Sequence, residues 1–449
     1  MKKILAAMLA IFVVLAGLVG CSSPETSGAG DSTAESQEPS SAPNETGGEI
    51  VVWTFLNPAD ETGRGKVLAN VMEKFEDTYQ TSVKVESLQW DTLSAKFLSA
   101  HQTGTAPDVV FLNTSDLAQA LAIGALEPLD DLFLNEWSEE DLEDINDSRF
   151  QMGVNDGKHY QVFLFANVWG ILYRPSLFES KGVAPSFDTW EDLAAAAHEM
   201  TFVDEDGNQV YGLGTGYSET SADSSLLMAY LFCQHGSVVD ENGQPRWTGD
   251  DAAQMLQMEI DLINDGVMPE SVLTSTSDEI YTDFMAGKYA MMTGGTVRIP
   301  TIQSQCVFDP SDVAIAAFPQ EEGAKANSFV GGWNAAVWSG SENKEAAGRF
   351  IEMMVSPEFD QQWVSEGGQL PMRKSTMTSM ADYFNDPLQA FIPEAMELLT
   401  ASVADDTNFI TSGYKADLNR TMQYAFADGY SVTEALEKSA SEFLEATGN

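Results

Sequence analysis

Apolar residues along the first part of the chain form two patterns that alternate. Ile50–Phe55, Ser82–Leu88 and Asp108–Leu112 are short runs rich in apolar and β-branched residues, and such runs predict strands. Arg64–Tyr79 and Thr92–Gln102 carry apolar residues at helical spacing, which predicts helices between and after these strands. Strands that alternate with helices predict an α/β fold with a mostly parallel sheet.

Sheets of this kind bind ligands at the carboxyl ends of their strands. In this part of the chain, each predicted strand is followed by a loop with aromatic or polar side chains. Position alone therefore marks three loops as candidates for a binding site: Thr54–Pro58, Gln89–Asp91 and Asn113–Asp116.

The longest apolar run after the leader lies further along the chain. Tyr160–Tyr173 is long enough for a strand that is buried on both faces, and Arg174-Pro175 ends it. After Pro185, Asp188 stands three residues before Glu191, which is the spacing of a capping box. The spacing predicts a helix that begins at this point.

The remainder of the chain is richer in helical patterns. Strands are predicted at Lys288–Thr293, Val313–Phe318 and Trp333–Trp338. Helices are predicted at Ala222–His235, Asp250–Asp265, Asp278–Ala286, Glu358–Glu366, Pro387–Ser402, Gly413–Ala427 and Thr433–Ala446.

Two acidic runs, Asp204–Gly207 and Asp240–Gly243, are similar to the start of a calcium loop. Gly207 stands at the fourth position of its run instead of the sixth, and no terminal Glu follows. Both runs therefore predict hairpin turns.

The amino terminus has the pattern of an export signal. Met1–Cys21 combines Lys2-Lys3 with a short apolar run, which predicts a signal peptide and not a spanning helix. Leu18-Val-Gly-Cys21 resembles a bacterial lipobox, so Cys21 is the predicted lipidation site and an ordinary secretory leader is the alternative. Residues 22–48 are rich in Ser, Pro, Gly and Thr and predict a disordered tether. We expect an extracytoplasmic protein that is anchored to the membrane by lipid.

Composition and the absence of catalytic motifs narrow the range of functions that the chain could have. The formal net charge of −47 argues against nucleic acid and anionic membrane surfaces as partners. The chain has no nucleophile elbow, no P-loop and no His-Glu-x-x-His, and its histidines are scattered, so we expect no enzyme and no metal site. Cys233 and Cys306 are too few for a disulfide framework; they predict two apolar thiols, with one bridge left open.

Three stretches together resemble a known family. They are Tyr173-Arg-Pro-Ser-Leu-Phe178 with Gly182-Val-Ala-Pro185 and Thr189-Trp-Glu-Asp-Leu193; Phe284-Met-Ala-Gly-Lys-Tyr-Ala-Met-Met292; and Gly331-Gly-Trp-Asn-Ala-Ala336 with Asn343-Lys-Glu-Ala-Ala-Gly-Arg-Phe350. In this order they are similar to the extracellular solute-binding proteins of family 1. Those proteins are the capture subunits of ATP-binding-cassette (ABC) importers, mostly for sugars.

The resemblance implies a type II periplasmic-binding-protein fold, with two discontinuous α/β lobes joined by a hinge. It places the first lobe at residues 49–164 and 319–355 and the second at residues 165–318 and 356–449. It further implies a monomer without a cofactor that binds a mono- or oligosaccharide between the lobes and delivers it to a membrane permease. A non-sugar solute such as a polyamine or a sugar phosphate is the alternative, followed by a glycan-degrading enzyme or an adhesin.

A sugar site needs flat apolar faces for the ring and polar groups for its hydroxyls. Trp333, which follows two glycines, is the first candidate, with a core position as the alternative. The other candidates are Trp90, Gln89, Asn113, Asp116, Asn167, Trp169 and Tyr217. Trp53 lies inside a predicted strand and is expected in the core, whereas Arg373 borders the cleft by resemblance and either binds ligand or braces the lobes.

The chain departs from the family at one point. Many sugar-binding members carry Gly-Pro-Trp after the strand that ends in Met-Met, and here Gly295-Thr-Val297 and Arg298 follow. A stacking platform is therefore missing there, which leaves room for a smaller or differently shaped ligand.

Overall fold

The computed structural model describes residues 48–145, 153–219, 225–404 and 414–447. The predicted signal peptide, the lipidation site Cys21 and the tether up to residue 47 lie outside the described residues. None of the described helices is both long and apolar enough to cross a membrane.

All seven predicted strands are present, with shifts at their ends, and the described residues contain six further strands. Their bounds are β1 (Gly48–Thr54), β2 (Thr81–Ser87), β3 (Val109–Asn113), β4 (Leu126–Glu127), β5 (Val154–Asn155), β6 (Lys158–His159), β7 (Val162–Tyr173), β8 (Phe202–Val203), β9 (Gln209–Gly214), β10 (Tyr289–Gly295), β11 (Ala314–Ala316), β12 (Ser328–Trp338) and β13 (Ser402–Ala404).

The helices of the first half are α1 (Gly63–Tyr79), α2 (Trp90–Thr103), α3 (Thr114–Ala122), α4 (Glu139–Asp144), α5 (Pro175–Lys181), α6 (Trp190–Glu199) and α7 (Leu226–His235). Those of the second half are α8 (Asp250–Asn264), α9 (Ser277–Met285), α10 (Ile299–Gln305), α11 (Lys344–Met354), α12 (Pro357–Ser365), α13 (Lys374–Ser379), α14 (Ala381–Phe384), α15 (Phe391–Thr400), α16 (Tyr414–Met422) and α17 (Val432–Thr447).

One mixed sheet joins most of these strands in the order β2-β1-β3-β12-β7-β10-β9-β8. β1 is parallel to both β2 and β3, as the alternation of strands and helices predicts. β12 is antiparallel to β3 on one side and to β7 on the other. The two long strands β7 and β12 therefore connect the β1–β3 half of the sheet to the β10–β8 half.

Apolar side chains pack on both halves of the sheet. A large cluster, the β7–β10 core, surrounds β7, β9 and β10 and includes Trp169, Tyr217 and Phe329. Two smaller clusters cover the β1–β3 half, one with α1 and α11 and the other with α2 and α3. Phe359 and Trp363 of α12, in the segment assigned to the second lobe, belong to the cluster with α1.

The capping box is one residue later than predicted. Thr189 is the N-cap of α6, and its hydroxyl accepts a hydrogen bond from the backbone N–H of Asp192 while the Asp192 carboxylate accepts from the N–H of Thr189. The prediction with Asp188 and Glu191 was wrong because Asp and Thr are both good N-caps, and only the backbone path decides between neighbours.

The two acidic runs form turns. The Asp204 carboxylate accepts hydrogen bonds from the backbone N–H groups of Asp206 and Asn208, at 3.0 and 2.7 Å, between β8 and β9. Asp240 does the same with Asn242 and Gln244, at 2.8 and 2.9 Å. The hairpin prediction is confirmed. Within the described residues, no group of His, Cys, Asp or Glu side chains could hold a metal ion.

Cys233 and Cys306, the two cysteines within the described residues, are free thiols. Cys233 is buried in α7, where burial raises the pKa of its thiol, and Cys306 is half-buried after α10. The structure therefore contains two separate thiols and no bridge between them.

Candidate functional site

A bulge in the middle of β12 positions Trp333 at the edge of the sheet where β1 and β3 have their carboxyl ends. Gly332 has a φ of +145°, and a Cβ there would lie 1.9 Å from the carbonyl oxygen of Phe165. Only glycine fits this close approach of two strands. The pairing register shifts between Trp333 and Asn334, and Trp333 lies opposite both Phe165 and Asn113, the last residue of β3. β12 therefore begins before Gly331 and Gly332, and Gly332 allows the backbone of β12 to approach that of β7 closely.

Three rings meet at this edge, and we call Phe55, Phe165 and Trp333 the edge aromatic group. The ring centroids of Phe55 and Trp333 are 4.5 Å apart, and those of Phe55 and Phe165 are 6.3 Å apart. Phe55 and Trp333 are partly exposed, whereas Phe165 is buried. The group presents apolar ring faces at the carboxyl ends of β1 and β3, where a sheet of this kind binds its ligands.

Amide side chains lie beside these rings. Asn113 caps α3, and its Oδ1 accepts hydrogen bonds from the backbone N–H and the hydroxyl of Ser115, at 3.2 and 2.9 Å. Asn167 pairs with Gly331 of β12, and its Oδ1 accepts from the N–H of Val297 at 3.1 Å. Asp116 lies in the first turn of α3 and is partly buried. Asn113 and Asn167 thus lie in the two strands that flank β12, within two register positions of Trp333.

Arg64, at the start of α1, covers the edge aromatic group. Its guanidinium carbon lies 5.1 Å from the ring centroid of Phe55 and 5.6 Å from that of Phe165. Burial, and secondly the positive charge of Arg298, lower the pKa of Arg64 to about 10, so it stays protonated at neutral pH. A cation, flat rings and amides therefore converge on one place.

The sequence pattern of the bacterial extracellular solute-binding protein family matches residues 58–361. The chain belongs to this family. The match covers the strands and helices that build the edge aromatic group, apart from β1 and Phe55.

Known relatives of this solute-binding protein are distant in sequence and similar in length. A binding protein of Brucella abortus is 23% identical over 322 residues, which cover 70% of this chain and 75% of the relative. The diacetylchitobiose binding protein DasA of Streptomyces coelicolor is 22% identical over 399 residues, covering 85% and 84%. The GacH receptor of Streptomyces glaucescens, solved unliganded and with acarbose, aligns with a TM-score of 0.72 at 22% identity, covering 90% of this chain and 100% of GacH. The last likeness shows that the chain shares the fold of GacH.

Two predicted binding residues of this solute-binding protein lie in its β7–β10 core. Trp169 is 8% exposed and stacks on Phe329, with centroids 5.5 Å apart and planes within 9°. Tyr217 is 1% exposed, and burial and the nearby carboxyl of Glu259 raise its pKa. Both rings are therefore buried by packing within the β7–β10 core, and their contact with a ligand stays a prediction.

Arg373 braces the chain. It is 3% exposed, and its guanidinium binds the Asp144 carboxylate at 3.0 Å and the backbone carbonyl of Val355 at 2.8 Å. The Asp360 carboxylate accepts hydrogen bonds from the backbone N–H groups of Met372 and Arg373. Of the two roles predicted for Arg373, the contacts match bracing.

The candidates at α2 are outside the edge aromatic group. Trp90 is the first residue of α2 and is 58% exposed, and Gln89 is its N-cap without a side-chain capping bond. Trp53 is 7% exposed within β1, as predicted, and the Lys96 ammonium lies 4.0 Å from its ring centroid.

Sequence reasoning missed Phe55, Arg64 and Phe165. Phe55 lies in the loop Thr54–Pro58, which its position after a strand made a candidate for the binding site. Its aromatic side chain was not considered as a binding group. Phe165 is one of many apolar residues in β7, and no local pattern separates it from its neighbours. Arg64 lies in the first turn of α1. The apolar stripe of that helix predicts its packing but gives no information about which residues line a binding site.

Proposed function

We propose that this protein is the substrate-binding subunit of a bacterial ABC importer and that it captures a mono- or oligosaccharide for a membrane permease. It carries out no chemistry of its own. Family membership and the fold support the binding role. The relatives DasA and GacH are named with diacetylchitobiose and acarbose, and both of these ligands are saccharides.

The observation that carries the proposal is the partly exposed Trp333 beside Phe55, with amides in the two strands that flank β12. The C–H face of a sugar ring packs on flat apolar rings, and its hydroxyls bind amide and guanidinium groups. Both kinds of group converge here without a motif for covalent catalysis. A saccharide is the ligand class that uses both at once.

We propose that the ligand lies between two lobes that close around it. Residues 49–164 and 319–355 form the first lobe, and residues 165–318 and 356–449 form the second. The packing of Phe359 and Trp363 with α1 favours moving α12 into the first lobe. Small-angle scattering should show a smaller radius of gyration with saturating ligand. An unchanged radius would argue for a protein that is already closed.

We also propose that Cys21 carries the lipid anchor that keeps the protein at the outer face of the cell membrane. Two acyl chains provide stable anchoring where one chain is marginal. Cys21→Ser should move the protein from the membrane fraction to the soluble fraction. Retention of the variant on membranes would place the anchor elsewhere.

A thermal-shift screen with a library of saccharides tests the binding function. A ligand at 100 times its dissociation constant adds about 2.7 kcal/mol to the free energy of unfolding, which is readily measured as a higher melting temperature. The same screen includes polyamines and sugar phosphates, and stabilisation by these alone would replace the sugar proposal. Release of reducing sugar from any stabilising glycan would indicate an enzyme instead.

A further inference from the structure

Arg64 differs from the other arginines in the described part of the chain. Arg298 pairs with Asp278, Arg373 with Asp144, and Arg349 and Arg420 each with two or more carboxylates. Arg174 lies 3.6 Å from an Asp312 oxygen, and Arg246 donates to a backbone carbonyl. The side chain of Arg64 makes no ion pair and donates no hydrogen bond to any described residue, and its guanidinium lies near the two phenylalanine rings.

Two carboxylates that lie near the start of α1, those of Glu366 and Asp60, already have partners. Glu366 accepts a hydrogen bond from the backbone N–H of Gly63 at 3.0 Å and lies 3.5 Å from the Lys66 ammonium. Asp60 accepts from the side-chain amide of Asn57 at 3.0 Å. The charge that does act on Arg64 is a positive one, that of Arg298 from beyond β10. The protein thus leaves one enclosed cation without a counter-ion beside the edge aromatic group.

Such an arrangement is costly unless something else supplies the negative charge. A partly buried guanidinium loses hydration, and a second cation nearby adds to the cost. The guanidinium lies within cation–π distance of Phe55 and Phe165, and its N–H groups donate to no described residue, which leaves them for a planar, bidentate partner. A carboxylate has that geometry.

Resting on the proposed sugar-binding function, we propose that the ligand is an acidic saccharide and that Arg64 binds its carboxylate while the edge aromatic group packs against the sugar ring. A uronic acid is the chemical class that combines the two features. Arg298 adds to the positive electrostatic potential at Arg64, but its own charge is balanced by the carboxylate of Asp278. One uncompensated positive charge matches the single charge of a carboxylate better than the double charge of a phosphate monoester.

The net charge of −47 does not conflict with an anionic ligand. At physiological ionic strength the screening length is about 8 Å, so carboxylates farther away contribute little at the site. The charge slows the encounter of an anion with the protein and leaves the short-range contact with Arg64 intact. We therefore expect the acidic sugar to be recognised through its direct contact with Arg64 and not through long-range electrostatic attraction to the protein.

The test compares matched neutral and acidic sugars on the unmodified protein. Glucose, galactose and their dimers are titrated beside glucuronate, galacturonate and digalacturonate, with glucose 6-phosphate as a further arm, by calorimetry and by thermal shift. We expect the best acidic sugar to bind at least tenfold more tightly than its neutral counterpart. Binding of neutral sugars alone would overturn the acidic ligand and leave the sugar-binding function standing. Preferential binding of the phosphate would overturn the carboxylate. No binding by any saccharide would contradict both proposals.

Two variants then assign the recognition to Arg64. Arg64→Gln should lower the affinity for the acidic sugar at least tenfold and change that for a weakly bound neutral sugar less than threefold. Arg64→Lys keeps the positive charge but lacks the paired N–H donors of the guanidinium, so we expect an intermediate loss of affinity for the acidic sugar. Arg246→Gln, at an arginine outside the edge, is the matched control and should bind as the unmodified protein does. An equal loss for acidic and neutral sugars in Arg64→Gln would show that Arg64 binds hydroxyls or shapes the site.

Discussion

Trp333 and Trp169 lie in neighbouring long strands, and the sequence nominates both for the ligand. Trp333 is partly exposed at a β-bulge and meets Phe55 with ring centroids 4.5 Å apart. Trp169 is 8% exposed and stacks flat on Phe329 within the β7–β10 core. The same residue type thus occupies two different environments. The difference teaches that the backbone path, here a β-bulge beside the ends of neighbouring strands, and not the residue type decides which tryptophan stays partly exposed.

Trp169→Ala should have the largest effect on stability. Truncation leaves a cavity against Phe329 in a core that has no solvent to fill it, which costs about 3–5 kcal/mol of unfolding free energy. Urea denaturation measures the loss, with Trp169→Phe as the control that retains a ring. Ligand affinity of the folded fraction should be unchanged, so a parallel fall in affinity would return Trp169 to the site.

Glu259 tests whether the surroundings of Tyr217 are closed to solvent. Burial raises the pKa of Glu259 to about 7, although its Oε1 accepts a hydrogen bond from the N–H of Leu227. Between about pH 4.5 and 7 the folded protein holds a proton that the unfolded chain has released. The free energy of unfolding should therefore fall as the pH rises through this window, by up to about 3 kcal/mol.

Glu259→Gln keeps the hydrogen-bond acceptor and cannot ionise, so its stability should lack this part of the pH dependence. Denaturation midpoints at pH 4.5, 5.5, 7 and 8, conditions chosen to bracket the window, provide the comparison. Glu437→Gln, on the exposed face of α17, is the control and should follow the unmodified protein. Parallel curves for all three proteins would mean that Glu259 is hydrated.

Trp333→Ala should mainly affect binding. Loss of a ring that packs on a sugar costs about 1–3 kcal/mol of binding free energy, by analogy with other aromatic contact residues. Because Trp333 is partly exposed, the variant should lose less unfolding free energy than Trp169→Ala. Calorimetry with the identified ligand and denaturation without it separate the two effects. Unchanged affinity would remove Trp333 from the site and make Trp90 the next candidate.

Trp90→Ala should have the smallest effect. The side chain is 58% exposed at the start of α2, and exposed substitutions usually change unfolding free energy by less than about 0.5 kcal/mol. We expect a smaller loss of affinity than for Trp333→Ala. An equal or greater loss would move the centre of the site from β12 to α2.

The sequence predicted some elements of the structure more accurately than others. Short β-branched runs and helical stripes located β1 to β3 and α1, because period and residue type act locally. The start of β12 was missed because Gly331 and Gly332 weaken a strand pattern, and here they permit a bulge that another strand requires. Arg373 could not be assigned between binding and bracing until Asp144 was seen against it, although the two are far apart in sequence.

The sequence by itself determined the α/β class, the family and the loops at the strand ends, because local periodicity and motif spacing encode them. Only the tertiary structure decided which aromatic side chains stay accessible. Exposure depends on what packs against a side chain from distant segments, as Phe329 does on Trp169. Only the tertiary structure also brought Arg64 over Phe55 and Phe165 without a carboxylate, since a missing partner is a property of three-dimensional surroundings and leaves no trace in neighbouring residues.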